Sequence, residues 1–121
     1  MKKTILVVDD FESNLAVAQE ALEEDYTVIT VVSGEDALES MNNTVPDLIL
    51  LDIDMPGMDG FATLENLKAH KNYKGGVPVI YITAMHDEDM EFKGRMLGAV
   101  DFITKPFCAV TLRERIELHL K

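Results

Sequence analysis

Leu48-Ile49-Leu50-Leu51 is the stretch that most restricts what this chain can become. Four consecutive aliphatic residues leave no polar alternation. The strand they form must therefore be covered on both faces, as in parallel sheets layered between helices. The run stops at Asp52, a carboxylate at the carboxyl end of the strand, where open α/β sheets bind their ligands. Pro56, Gly57 and Gly60 then break the extended chain and turn it towards a helix. An acid so placed can be a nucleophile, a metal ligand or a helix cap, and the stretch by itself does not choose among them.

Similar punctuation recurs along the chain. Ile5-Leu6-Val7-Val8 is a second aliphatic run, ended by Asp9 and Asp10. Tyr26 to Val32 is β-branched and predicts a strand. Val77 to Ile82 predicts another, followed by Thr83-Ala84, and Ala99 to Ile103 a fifth, closed by Lys105-Pro106. Helical spacing fills the intervals. From Glu12 to Glu24 the apolar face is Leu15, Ala18 and Leu22, with Val17 and Ala21 beside them. Ser33 is placed to cap a helix carrying Ala37, Leu38 and Met41, which Val45-Pro46 ends. Phe61, Leu64 and Leu67 stripe a third helix, and Lys71 to Gly76 is a polar turn. Residues 86 to 97 form a fourth, in which Gly94 costs about 1 kcal/mol relative to alanine; that helix is expected to be the least secure. The last helix begins near Phe107 and turns Val110, Leu112, Ile116 and Leu120 inwards. Met41 and Met96 read as core or interface filler.

Five βα units with short connections and right-handed crossovers give an α/β fold, a doubly wound five-stranded parallel sheet with helices on both faces. At 121 residues this is a single domain. The formal charge of −11 argues against binding nucleic acid or an anionic membrane. The one cysteine, Cys108, excludes an internal disulfide and a cysteine-based zinc cage, and is expected to be partly buried at the start of the last helix. Lys2 and Lys3 before an apolar run resemble a secretory leader, but Asp9-Asp10 cut that run short, so the expected location is cytoplasmic. No apolar run approaches a membrane span.

In a doubly wound sheet all strand carboxyl ends share one edge. Asp9-Asp10, Asp52, Thr83 and Lys105 each follow a different strand, so three carboxylates, a hydroxyl and an ammonium gather in one cleft. Two carboxylates about 4 Å apart repel by roughly 4 kcal/mol at an effective dielectric near 20, and such a cluster calls for a cation. Oxygen ligands with retained waters suit Mg²⁺, while His70, His86 and His119 are too scattered for zinc. Asp52 can then act as a nucleophile towards a phosphoryl group whose oxygens are shared by the metal, Lys105 and the Thr83 hydroxyl. The plainer readings are Lys105 as a solvated strand end and Thr83 as a β-former or the cap of the next helix.

Val7-Val8-Asp9-Asp10, Leu51 through Gly60, Ile82-Thr83-Ala84, and Gly98-Ala99 through Lys105-Pro106-Phe107 together resemble the receiver domain of two-component response regulators, over the whole chain and in the family's order. The resemblance implies a flavodoxin-like sheet of order 2-1-3-4-5. It implies that Asp52 is the phosphoacceptor, served by a histidine kinase or histidine phosphotransfer domain, with acetyl phosphate as a small substitute. Mg²⁺, replaceable by Mn²⁺, would be held by Asp9, Asp10, Asp52 and the backbone carbonyl of Asp54. Lys105 would contact the phosphoryl oxygens, Thr83 would swing to bind them, and a cis bond before Pro106 would aim the lysine.

Thr83 and Phe102 would form the switch acting on the fourth helix, fifth strand and fifth helix. Phe102 stands where tyrosine is common, Asp54 and Met85 where residues tune dephosphorylation, and Gly94 where alanine is common. Beyond self-phosphorylation and slow autodephosphorylation no enzymatic turnover is implied. An output domain or target protein, and room for a homodimer, complete the implied partners. Asn14 and the ending from Arg115 to Leu120 resemble multidomain members more than the chemotaxis type, so the domain can be a stand-alone receiver or one cut from a longer regulator or hybrid kinase. The competing readings are a haloacid-dehalogenase-like phosphatase using Asp52 and Asp54, and a flavodoxin-like binding module.

Overall fold

The computed structural model describes residues 2–85 and 87–120. In chain order it holds β1 (Lys3–Val8), α1 (Glu12–Leu22), β2 (Tyr26–Val31), α2 (Gly34–Ser40), β3 (Leu48–Asp52), α3 (Gly60–Ala69), β4 (Val79–Thr83), α4 (Glu88–Met96), β5 (Asp101–Thr104) and α5 (Ala109–Leu120). The strands pair in parallel in the order β2-β1-β3-β4-β5. This is the doubly wound sheet that the aliphatic runs and the resemblance both required.

Strand alternation splits the core into two layers. Ile5, Val7, Leu48, Leu50, Ile80, Ile82 and Ile103 face α1 and α5, meeting Leu15, Ala18, Leu22, Leu112 and Ile116. Leu6, Val8, Ile49, Leu51, Tyr81 and Phe102 face the other way, onto Ala37 and Met41 and onto Phe61, Leu64 and Leu67 of α3. Every residue of β3 is buried, as its unbroken aliphatic run demanded. Truncating one of these, Leu50→Ala for instance, would cost about 2–5 kcal/mol.

Several expectations need correction. Val17 is 40% exposed and Val110 55% exposed. Each is two residues from a buried neighbour, Leu15 or Leu112, and residues two apart on a helix do not share a face. Cys108 is exposed rather than partly buried. Of the two methionines read as core or interface filler, Met41 is in the core and Met96 lies 71% exposed, outside it. Strand β4 begins at Val79, after the proline that cannot donate to the ladder. Strand β5 begins at Asp101, after the turn at Gly98 (φ 105), and α5 begins at Ala109. Helix α4 starts at Glu88, where the Asp87 carboxylate accepts from the Met90 N–H at 2.8 Å; Asp87, not Thr83, is its cap. His86 and Lys121, expected in the fourth and fifth helices, lie outside the described residues.

The N-termini of α2 and α3 are capped by short polar side chains, and that of α1 is not. Ser33 accepts from the Asp36 N–H at 3.1 Å and Asp59 from the Ala62 N–H at 2.8 Å. The N-cap of α1 is Phe11, whose side chain makes no capping bond, forgoing about 1 kcal/mol that a Ser or Asp would supply. Helix α4 is held least tightly, since Gly94 is the one of its residues that is buried.

Candidate functional site

The carboxyl ends of β1, β3, β4 and β5 place their polar residues along one edge. The loop after β3 fixes Asp52 there. Gly57 turns with φ 73. Gly60 then packs so close that a Cβ would strike the backbone of Asp52 and Ile53, and its N–H donates to the Ile53 carbonyl at 2.9 Å.

Asp9, Asp52 and Thr83 are fully buried. Asp9, Asp10 and Asp52 each offer a carboxylate oxygen, all within 4.8 Å of one another. Lys105 lies with its Nζ 3.0 Å from Asp52 Oδ2 and 3.4 Å from Asp9 Oδ2, and its peptide bond to Pro106 is cis. The Lys105 ammonium thus pairs with two of the three clustered carboxylates, Asp52 and Asp9.

The oxygens are not equally engaged. Asp9 Oδ1 accepts from the Phe11 N–H at 2.9 Å, and Asp9 Oδ2 from the Asn14 amide at 3.3 Å. Asp52 Oδ1 accepts from the Asp54 N–H at 3.1 Å. Asp52 Oδ2 has the lysine at ion-pair distance but no aligned hydrogen bond, and Asp10 Oδ1 is buried without a hydrogen-bond partner among the described residues. Buried oxygens left in that state cost free energy unless something else meets them. An all-oxygen set with such atoms free matches a hard divalent cation, so the residues present fit Mg²⁺.

Burial pushes the Asp52 carboxyl up to about 7; the Lys105 ammonium at 3.0 Å opposes this, and the Asp9 charge adds to it. Burial alone would lower the Lys105 pKa, but its close pairing with the Asp52 carboxylate, followed by that with Asp9, raises it. Lys105 therefore stays cationic, while Asp52 is the acid whose charge is contested.

Thr83 sits at the same edge, but its hydroxyl is occupied elsewhere. Oγ1 lies 3.3 Å from Asp54 Oδ2 and 3.0 Å from the Met85 carbonyl, and it accepts from the Met85 N–H at 3.1 Å. Phe102, on β5, is 6% exposed and packs against Tyr81 with ring centroids 5.6 Å apart. Beside it a cleft of about 610 Å³ is lined by Arg95, Asp101, Pro106, Cys108 and Arg115 among others. Asp101 anchors α5 to β5, with Arg115 at 2.6 Å and His119 at 3.0 Å.

Two contacts are not foreseen by the sequence reading. Asn14 holds Asp9, and the Asp54 side chain holds Thr83. An amide at the fifth position after an acid is a faint signal, and nothing in the sequence marks the Asp54–Thr83 bond.

The family model that matches is the response regulator receiver domain, over residues 5–117. Response regulator PleD of Caulobacter vibrioides is 41% identical over 117 residues, 96% of this chain and 26% of that protein. The alkaline phosphatase synthesis transcriptional regulatory protein PhoP of Bacillus subtilis is 38% identical over 122 residues, all of this chain and 50% of that protein. The chain thus spans about a quarter to a half of the curated relatives it matches. The solved structure of chemotaxis protein CheY4 of Vibrio cholerae superposes with a TM-score of 0.93 at 27% identity, covering 99% of this chain and all of the other. Among the described residues no helix is long and apolar enough to cross a membrane.

Proposed function

The chain belongs to the response regulator receiver domain family, and on that premise we propose that Asp52 accepts a phosphoryl group from a phosphorylated histidine of a kinase or phosphotransfer domain. The observation that carries this reading is the buried Asp52 carboxylate, 3.0 Å from Lys105 and clustered with Asp9 and Asp10. Lys105 draws the phosphoryl oxygens towards Asp52 and balances their charge. Asp9, Asp10, Asp52 and the Asp54 carbonyl would hold Mg²⁺, with Asp9 itself positioned by Asn14. Mg²⁺ when bound neutralises phosphoryl charge. Turnover of other substrates is not part of this function.

Thr83 leaves Asp54 and Met85 to bind the phosphoryl oxygen, and Phe102 and the loosely held α4 repack. The face of α4, β5 and α5 then carries the signal to an output domain or target protein. This reading puts the chain in the cytoplasm, as one receiver unit that is free-standing or joined to further domains.

Incubation with acetyl phosphate or fluoroberyllate in Mg²⁺ tests it. From acetyl phosphate wild type should take up one acid-stable, base-labile phosphoryl group per chain, and from fluoroberyllate one beryllofluoride adduct; Asp52→Asn should take up neither. Equal labelling of the variant, or labelling in excess chelator, would overturn the assignment; steady release of phosphate from esters would favour the phosphatase reading instead.

A further inference from the structure

Phe11 breaks two local rules at once. It occupies the N-cap of α1, where a short polar side chain would accept a hydrogen bond, and it supplies none. Its side chain is also 60% exposed, although phenylalanine is among the residues most often buried. Local rules broken without compensation tend to mark functional positions.

The backbone there is firmly placed. The Phe11 N–H donates to Asp9 Oδ1 at 2.9 Å, and its carbonyl accepts from the N–H groups of Asn14 and Leu15 at 3.1 and 3.2 Å. The ring centroid lies 5.7 Å from Lys105 Nζ. That lysine already has Asp52 at 3.0 Å and Asp9 at 3.4 Å, so it needs no aromatic partner to balance its charge. Beyond the switch threonine on the same sheet edge, Met85 is 71% exposed, its backbone tied to the Thr83 hydroxyl. The acid cleft is therefore polar at its floor and has exposed apolar side chains at its margin. Such a site suits a reactant that is anionic at one end and flat and apolar at the other.

We infer that Phe11 is a specificity-determining contact for the leaving group of the phosphodonor, favouring the planar imidazole of a phosphohistidine over the small acyl group of an acyl phosphate. The inference rests on the phosphoacceptor reading of Asp52. In the step concerned, an Asp52 carboxylate oxygen bonds to phosphorus as the P–N bond breaks. The electron pair returns to the imidazole nitrogen, and the ring leaves neutral because its other nitrogen already carries a proton. With acetyl phosphate the same oxygen attacks the same phosphorus, and acetate leaves. The two reactions differ in the leaving group, the part that meets Phe11.

Phosphorylation rates with phosphoimidazole and with acetyl phosphate, in saturating Mg²⁺, are to be compared for wild type, Phe11→Ser and Phe11→Trp. The ratio of the phosphoimidazole rate to the acetyl phosphate rate should fall roughly two- to tenfold in Phe11→Ser, the change an aromatic pair is worth, and should be retained in Phe11→Trp. Phe11→Ser restores a capping oxygen, so its urea midpoint should rise, which separates the rate loss from any loss of fold. An unchanged ratio in Phe11→Ser, including one in which both rates fall equally because the ring only orders Lys105, overturns the inference. If wild type labels from neither donor, the phosphoacceptor reading itself has failed and this inference falls with it.

Discussion

A Cβ on residue 94 would lie 2.5 Å from Cζ of Phe102 and 3.1 Å from two ring carbons of Tyr81. Helix α4 therefore rests on the Tyr81–Phe102 pair at a distance only glycine permits. The residue weakens the helix locally, yet it is what lets the helix approach the Phe102 ring. The helical cost and the tertiary need sit on the same position and oppose each other.

Gly94→Ala should for that reason destabilise the chain by about 1 kcal/mol, an overpacking cost of about 1–3 kcal/mol offset by roughly 1 kcal/mol of helix propensity. The ring tip is the part that can yield, outwards into the adjoining cleft of about 610 Å³. In a Phe102→Ala background the same substitution should turn neutral or stabilising. Denaturant melts of the four proteins give the coupling energy, expected to exceed about 1 kcal/mol. Additive effects would mean that Phe102 does not set the approach of α4.

Asp54 should act as a brake on switching. Its carboxylate lies 3.3 Å from the Thr83 hydroxyl, which the proposed phosphorylated form would need elsewhere. A long, part-buried hydrogen bond of this kind is worth about 1 kcal/mol. Asp54→Ala should accordingly raise the ratio of switched to unswitched chains roughly fivefold at a given sub-saturating fluoroberyllate concentration. NMR populations of Thr83 and Phe102 report it. A ratio equal to or below that of wild type would show that the bond does not compete with switching.

The layout was legible wherever the signal is local. Leu48 to Leu51 gave a strand buried on both faces, and Asp52 its tip, because aliphatic continuity and chain-breaking residues act within a few positions. Side-chain direction was less legible. Val17 and Val110 were grouped with their neighbours by hydrophobicity, although the helical angle turns them outwards. Bonds between distant segments left no local trace. Asp54 and Thr83 are 29 residues apart, and the ring that makes Gly94 necessary arrives on another element, β5. Phe11 was visible as a residue but not as an anomaly, since only the completed helix shows that it occupies a cap.

Removing one charge from the acid cluster should separate its structural cost from its use. Three carboxylates lie within 4.8 Å of one another, and one lysine pairs with two of them. In chelator, Asp10→Asn should be more stable than wild type by about 1–3 kcal/mol, less than the roughly 4 kcal/mol of one bare repulsion at an effective dielectric near 20 because the nearby lysine and solvent offset part of it. With Mg²⁺ at a hundred times its dissociation constant wild type should gain roughly 2.7 kcal/mol, and the variant clearly less. Paired urea melts decide it. A variant that is less stable in chelator, or that gains as much from Mg²⁺, would mean that Asp10 belongs to no strained metal site.

The pH dependence of the metal-free chain should carry the signature of Asp52. Its carboxyl is held at about 7 in the fold against an ordinary value of 3.8. A raised folded pKa in an acid means that the native state binds more protons than the unfolded chain between those values, so stability falls as pH rises through the interval. Below about 4 the penalty is absent, and above about 7 it is complete, on the order of 2–4 kcal/mol. Asp101 has the opposite sign: burial favours its neutral form, but the hydrogen bonds from Arg115 and His119 outweigh this and lower its pKa. It contributes stability that is lost as pH falls below about 4, outside the Asp52 window. Urea melts in chelator at intervals from pH 4.5 to 7.5 should show wild type losing stability relative to Asp52→Asn across that range. A difference between the two proteins that stays constant with pH, or that grows in favour of wild type, would show that Asp52 ionises without strain.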